Sequence, residues 1–381
     1  MKLLFSIITA VIFFSASAQP YQTGRRSVAF IDTSRNSRSI TTELFYPAAT
    51  AGNNVPVVNG SEKFPVVVFG HGFVIAYSSY NWLADSLVKN GYIVAMPTTE
   101  GSFSPAHEQF GKDIAFLSSY VISLNDSSNS FLFGRIKNRS AVGGHSMGGG
   151  ASFLSTQYNN SINAIFNFAA AETNPSAKEA ALQTAIPALI FAGSSDCIVP
   201  DTNQQRMYSN VSYSCKTFVN ITDALHCHFA NNNGTCATGQ ILSGCNSSSI
   251  TAAIVLKKTT SLLIPFLDYY LKDSCGSKII FENRLAATTG IVNERTCTTE
   301  PFICNAANIY TFTGSGNWDV AANWANNIIP PSPLPSGSEI IINPAGNSSC
   351  ILNIAQTIAT GSKLTVATGK NFLVQGNLTL Q

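Results

Sequence analysis

Residues 140–150 read Ser-Ala-Val-Gly-Gly-His-Ser-Met-Gly-Gly-Gly, and their centre constrains this chain more than any other stretch. Gly144-His145-Ser146-Met147-Gly148 has the Gly-x-Ser-x-Gly spacing of a serine carried on a sharp strand-to-helix turn. Such a turn lifts the serine Oγ clear of the backbone, and glycines two before and two after it let strand and helix approach without a Cβ clash. A pattern this short recurs by chance, so its flanks decide its meaning. Arg139 to Gly143 reads as a short buried strand, and Ala151 to Tyr158 as a helix.

The rest of the chain repeats that alternation. Ser27 to Ile31 and Ile40 to Tyr46 alternate like antiparallel strands. Pro65 to Phe69 is an unbroken apolar run, as expected of a strand buried on both faces, and ends at Gly70-His71-Gly72-Phe73. Ser79 to Lys89 reads as a helix closed by Asn90-Gly91, and Tyr92 to Met96 as the next strand. Ala106 to Leu124 is a helix, Ser140 to Gly144 the serine strand, Ile162 to Phe168 a strand and Ala177 to Thr184 a helix. Strands over Pro187 to Gly193 and Cys215 to Ile221 precede a closing helix, Ile250 to Leu271, with Pro265 as an expected kink. The order predicts an α/β class fold: a mostly parallel, doubly wound sheet with an antiparallel start.

After Cys304 the texture changes to short alternating segments separated by Gly and Asn turns: Glu339 to Ile342, Cys350 to Ile354, Lys363 to Val366, Phe372 to Val374 and Asn377 to Leu380. These predict an all-β module, either successive rungs of a solenoid or a small sandwich. At the other end, Lys2, the apolar run Leu3 to Phe14 and Ala16-Ser17-Ala18 make an export signal, too short to span a bilayer. The expected organisation is a signal peptide over 1–18, a catalytic domain over 19–304 and the β module over 305–381.

Export bears on the nine cysteines, all at or beyond Cys197: in an oxidising compartment they favour disulfides over metal sites, and the odd count leaves at least one thiol over. Only 11% of residues are charged, and a net charge of +2 without basic runs gives no footing for nucleic acid or an anionic membrane.

A serine hydroxyl becomes a useful nucleophile when a base takes its proton and a third group fixes that base. On a strand-to-helix turn of this kind the expected chain order is serine, acid, histidine. The strand ending at Gly193 runs into Asp196, at the carboxyl end of the sheet where Ser146 also lies. Asp201 is the rival acid, but it follows Pro200 and has Gln204 three residues on, which suits a helix N-cap. Downstream, Leu225-His226-Cys227-His228 offers two histidines. His226 is the expected base and His228 the alternative. A zinc reading of His-x-His beside cysteines is the weaker one, so neither metal nor cofactor is expected. Two backbone N–H groups are needed for a tetrahedral oxyanion, and Met147 and Phe73 occupy the positions that would supply them. A core aromatic is the alternative use of Phe73. Phe168 and Ile186 are too close in sequence for an inserted cap domain, so the cleft is expected to be open and lidless.

Taken in order, Gly72-Phe73 with Asn81-Trp82-Leu83, Asn90-Gly91-Tyr92-Ile93-Val94, Gly144 to Gly150, and Ile186 to Ala192 leading to Asp196 with Ile198-Val199-Pro200 resemble the cutinase-like polyester hydrolases. Those belong to the α/β-hydrolase superfamily, with dienelactone-hydrolase and chlorophyllase-like relatives, and the resemblance covers roughly Val28 to Cys297. It implies the α/β-hydrolase fold, hydrolysis of carboxylic esters, and a triad of Ser146, Asp196 and a histidine of the Leu225–His228 segment. Where such hydrolases often carry a substrate-stacking tryptophan, this chain has Ala171 to Ser176, so the resemblance does not extend to activity on aromatic polyesters. Its histidine segment is also one residue longer, which is why two histidines compete. The resemblance further implies a Cys197–Cys227 clip between acid and base loops, with Cys197–Cys215 and Cys227–Cys236 as alternatives. Cys275–Cys297 is the expected bridge near the end of the domain. The expected protein is therefore a secreted, monomeric serine carboxylesterase, extracellular or periplasmic, acting on lipid-like or polymeric esters, with the β module as a candidate attachment to a surface or polymer. The reading from another class is an exported adhesion or carbohydrate-binding protein whose hydrolase domain is silent.

Overall fold

The computed structural model describes residues 21–231, 234–245, 248–298, 309–334 and 337–381. The expected signal peptide, the boundary at Cys304 and Cys304 itself lie outside the described residues.

One sheet of ten strands forms the frame: β1 (Gln22–Asp32), β2 (Arg38–Ala48), β3 (Gly52–Asn53), β4 (Phe64–Gly70), β5 (Ile93–Pro97), β6 (Ile136–His145), β7 (Ala164–Phe168), β8 (Ala188–Gly193), β9 (Cys215–Ile221) and β10 (Ile291–Cys297). Their order is β10-β9-β8-β7-β6-β4-β5-β2-β1-β3. From β5 to β9 neighbouring strands are parallel; β2 against β5, β1 against β2 and β10 against β9 are antiparallel. Every residue of β4, β5, β7 and β8 is buried, as the nearly unbroken apolar runs of these strands require, Asn167 of β7 being the polar exception.

Helices cover both faces. On one lie α2 (His107–Ser123), α3 (Met147–Ser155), α4 (Ala177–Leu182) and α5 (Asp201–Asn210), which bury Ile114, Leu154, Ala180 and Met207 in a single apolar cluster. On the other, α1 (Asn81–Lys89), α7 (Ala252–Lys272) and α8 (Cys275–Ala287) bury Leu87, Leu263 and Phe281 in a second. A short helix, α6 (Gly234–Leu242), stands between the loop after β9 and α7.

Several expectations are corrected. The helix foreseen from Ser79 is a 3-10 turn over Tyr77–Tyr80 followed by α1. α7 does not close the domain: α8 and β10 follow it, and β10 adds an antiparallel edge beside β9. Pro265 lies within α7, and the Ser261 carbonyl that a proline at 265 leaves without its usual donor accepts from Arg284 Nη1 of α8 at 2.9 Å. Of the disulfides, neither Cys197–Cys227 nor Cys275–Cys297 forms. Cys197 pairs with Cys245, Cys215 with Cys297 and Cys227 with Cys236. The reason for the second is register: Cys215 and Cys297 face each other across β9 and β10.

The C-terminal module consists of parallel ladders, β11 (Ile309–Phe312) with β13 (Glu339–Ile342) and β16 (Lys363–Val366), β12 (Gly316–Asn317) with β14 (Ser349–Leu352) and β17 (Asn371–Val374), and β15 (Ala355–Ile358) with β18 (Asn377–Leu380). Successive strands stack on the strand about one turn later in the chain, which makes rungs of a solenoid; a sandwich of short hairpins would pair antiparallel. Its own core holds Phe312, Trp318, Trp324, Ile340, Leu352 and the unpaired, buried Cys350.

Candidate active site

Ser146 sits between β6 and α3 at φ 55 and ψ −119, a backbone conformation sparsely occupied by any residue with a Cβ. The glycines around it serve close packing: a Cβ on Gly144 would lie 2.2 Å from the Gly148 carbonyl carbon, and one on Gly148 2.2 Å from the Gly70 oxygen. The turn is pinned on both sides. The Ser146 N–H donates to Phe168 O at 3.0 Å, and its carbonyl accepts from Gly150 N at 3.1 Å and Ala171 N at 2.9 Å.

The loops that follow the parallel strands all emerge at this edge of the sheet, and backbone strain gathers there. Val74 after β4, Glu100 after β5, Ser146 after β6, Ala169 after β7 and Asp223 after β9 each have positive φ. For Val74, a β-branched residue, that geometry is costly. It closes the tight turn in which Ile75 N donates to Gly72 O at 3.1 Å, and it holds Phe73 at the turn's second position. Phe73 is 46% exposed, so it is not a core aromatic, and its ring meets Phe103 edge-on at 6.2 Å. Phe103, itself 84% exposed, carries no periodic signal in the sequence, because it is an isolated aromatic in a Gly/Ser loop. Met147 begins α3, so its N–H is among the first-turn amides without an intrahelical acceptor.

Asp196 lies in the loop after β8 and His226 in a 3-10 turn after β9, both buried. His226 Nδ1–H donates to Asp196 Oδ2 at 2.7 Å. The other oxygen, Oδ1, accepts from the N–H groups of Ile198 at 2.9 Å and Val199 at 2.8 Å, so both carboxylate oxygens are engaged and the side chain is held in place.

The rival groups point elsewhere. Asp201 is the first residue of α5, with Pro200 in the cap position expected of it, and its Oδ2 accepts from Asn220 Nδ2 at 2.7 Å. His228 accepts the Leu225 N–H on Nδ1 at 3.2 Å, and burial holds its basicity down. An extended segment would have aimed both histidines the same way; the 3-10 turn, with three residues per turn, sends residues two apart to different sides. Between β7 and β8 the connection contains α4 and no inserted domain.

The sequence model of a family described as PET hydrolase-like matches residues 15–243. This chain belongs to that family. The match spans more than half of the chain, takes in Ser146, Asp196 and His226, and accounts for the α/β-hydrolase fold of the main sheet. As a PET hydrolase-like chain it is an ester hydrolase by family. No curated protein matches it. Among the described residues no cluster of three or more His, Cys, Asp or Glu side chains is arranged to hold a metal ion, and no helix is long and apolar enough to cross a membrane.

Proposed function

We propose that this chain is a secreted serine carboxylic-ester hydrolase that turns over lipid-like or polymeric esters through an acyl-enzyme on Ser146. The observation that carries the reading is the buried His226–Asp196 pair at 2.7 Å on the sheet edge that also bears the strained Ser146 turn. With Nδ1–H committed to Asp196, the lone pair on His226 Nε2 is the base. Ser146 Oγ attacks the ester carbonyl carbon as its proton passes to Nε2, and Asp196 stabilises the imidazolium. The N–H groups of Met147 and Phe73 receive the oxyanion. Collapse breaks the carbon–oxygen bond, the imidazolium proton leaves on the alcohol, and water repeats the sequence to release the acid. The signal-like N-terminus and three disulfides support an oxidising destination, and the separate core of the β module supports a second domain.

Ser146→Ala removes the attacking oxygen at a turn, not a core contact. Turnover of p-nitrophenyl butyrate is expected to fall by about a thousandfold or more with the fold retained. Near-normal turnover by that variant overturns the serine mechanism. A fluorophosphonate probe that labels the wild type but not Ser146→Ala separates an active hydrolase from a silent scaffold. The same assay run from short esters to aliphatic polyesters and PET film reads the substrate class.

A further inference from the structure

Three loops of the site are joined by a hydrogen-bonded chain that the ester-hydrolase reading does not require. The Gly72 N–H, next to Phe73, donates to Tyr80 Oη at 3.0 Å; Tyr80 Oη is 2.8 Å from His145 Nδ1; and His145 Nε2 is 3.2 Å from the carbonyl oxygen of His226. Its ends fix its direction. A backbone N–H can only donate and a carbonyl can only accept, so Tyr80 donates to Nδ1 and His145 donates from Nε2–H, which leaves one tautomer. Both side chains are fully buried, and the His145 and His226 rings lie 4.6 Å apart. Burial, and then the neighbouring His226, hold His145 well below the ordinary imidazole range, so it stays neutral beside the base.

Space does not call for these polar atoms. Tyr80 packs against Phe69 at 5.0 Å in an apolar cluster where a phenylalanine would fill the same volume. A buried hydroxyl and imidazole stabilise a core no better than apolar groups of their shape, and retaining them fits a role in fixing one arrangement. The group that most needs fixing is His226. It stands on a single 3-10 turn outside the sheet ladder, with Asp196 gripping its side chain and His145 its main chain.

We propose that Tyr80 and His145 are positioning residues for the base, joining the Phe73 turn, the Ser146 turn and the His226 turn into one unit that sets the imidazole against the serine before substrate arrives. This rests on His226 being the base. The effect would fall on kcat, because a displaced base slows proton transfer without altering the surface that binds the ester.

The test uses the full chain and p-nitrophenyl butyrate. Tyr80→Phe removes one oxygen at constant ring volume and is expected to lower kcat about tenfold while KM stays within about twofold. His145→Leu should do the same or more, His145→Gln, which keeps a side-chain N–H donor, should recover part of the loss, and the Tyr80→Phe/His145→Leu double variant should be no worse than His145→Leu. A merely structural role would lower the melting temperature and leave kcat of the folded protein unchanged. A folded Tyr80→Phe with wild-type kcat overturns the proposal, as do losses that multiply in the double variant. If His145→Leu does not fold, Tyr80→Phe decides alone. Ser146→Ala in the same assay separates the two failures: if it is inactive and Tyr80→Phe is normal, only the positioning role falls, whereas an active Ser146→Ala removes both.

Discussion

Of the two histidines in Leu225–His228, His226 is hydrogen-bonded to a carboxylate, whereas His228 is bonded to the Leu225 N–H. His226→Ala is expected to cost several thousandfold in kcat or more. His228→Ala is expected to keep activity and lose about 1 kcal/mol of stability, the scale of one lost cap on the Leu225 N–H. An inactive, folded His228→Ala beside an active His226→Ala reverses the assignment. The histidines also set how the fold meets acid. Burial holds His71, His145 and His228 below the ordinary 6.5, in His71 despite carbonyl oxygens of Gly72 and Thr99 beside its ring. Unfolded, each takes up a proton as pH falls through that value; folded, each resists. The stability they lend is thus whole above pH 6.5 and drains below it, and the urea midpoint should fall between about pH 7.5 and 5.5. A flat or rising midpoint contradicts this. The placement of Ser146, Asp196 and His226, the proposed triad, after β6, β8 and β9 was legible because chain order and strand ends restrict where such residues can stand. Tyr80 was not: it sits with Leu83, Ala84 and Leu87 in an apolar helical stripe, and nothing along the chain tells its buried hydroxyl from a phenylalanine's edge.

Among the elements, α6 explains why the expected clip is absent. Cys236 is its single buried residue, while Ile241 and Leu242 are 78% and 83% exposed. A helix with so little apolar face has no packing to hold it, and disulfides take that part. Cys227–Cys236 fastens it beside His226 and Cys197–Cys245 fastens the residues after it beside Asp196, so acid and base loops are each tied to one segment instead of to each other. The bridges span 48 and 9 residues of sequence separation. Loop entropy then predicts that Cys197→Ser/Cys245→Ser destabilises by about 4 kcal/mol and Cys227→Ser/Cys236→Ser by about 2–3 kcal/mol in urea unfolding. The reverse order would show that chain entropy is not what these bridges act on. Strands with unbroken apolar runs could be read directly, since two-sided burial leaves that mark. β10, with no fully buried residue, and the disulfide pairing could not, because an exposed edge strand has no apolar stripe and cysteine connectivity depends on registers formed only in the fold.

At the scale of the whole molecule, the described residues form three apolar clusters: two sandwich the main sheet, and the third lies within the β module, its buried residues running from Phe312 to Ile358. The module therefore has the means to fold by itself, and two of the chain's three tryptophans, Trp318 and Trp324, are buried there at 4.7 Å, with Trp324 Nε1–H donating to Trp318 O. Tryptophan fluorescence should accordingly report the module more than the hydrolase, and its midpoint in urea should differ from the midpoint of activity loss. The same division bears on access to Ser146. The connection between β7 and β8 carries only α4, so no cap domain is inserted at that point. Expressing residues 19–304 alone tests this. An open cleft predicts kcat on soluble short esters within about twofold of the full chain and a smooth rise with substrate through its solubility limit. A sharp jump in rate at that limit would reveal a lid, and a folded but inactive fragment would mean that the module completes the site.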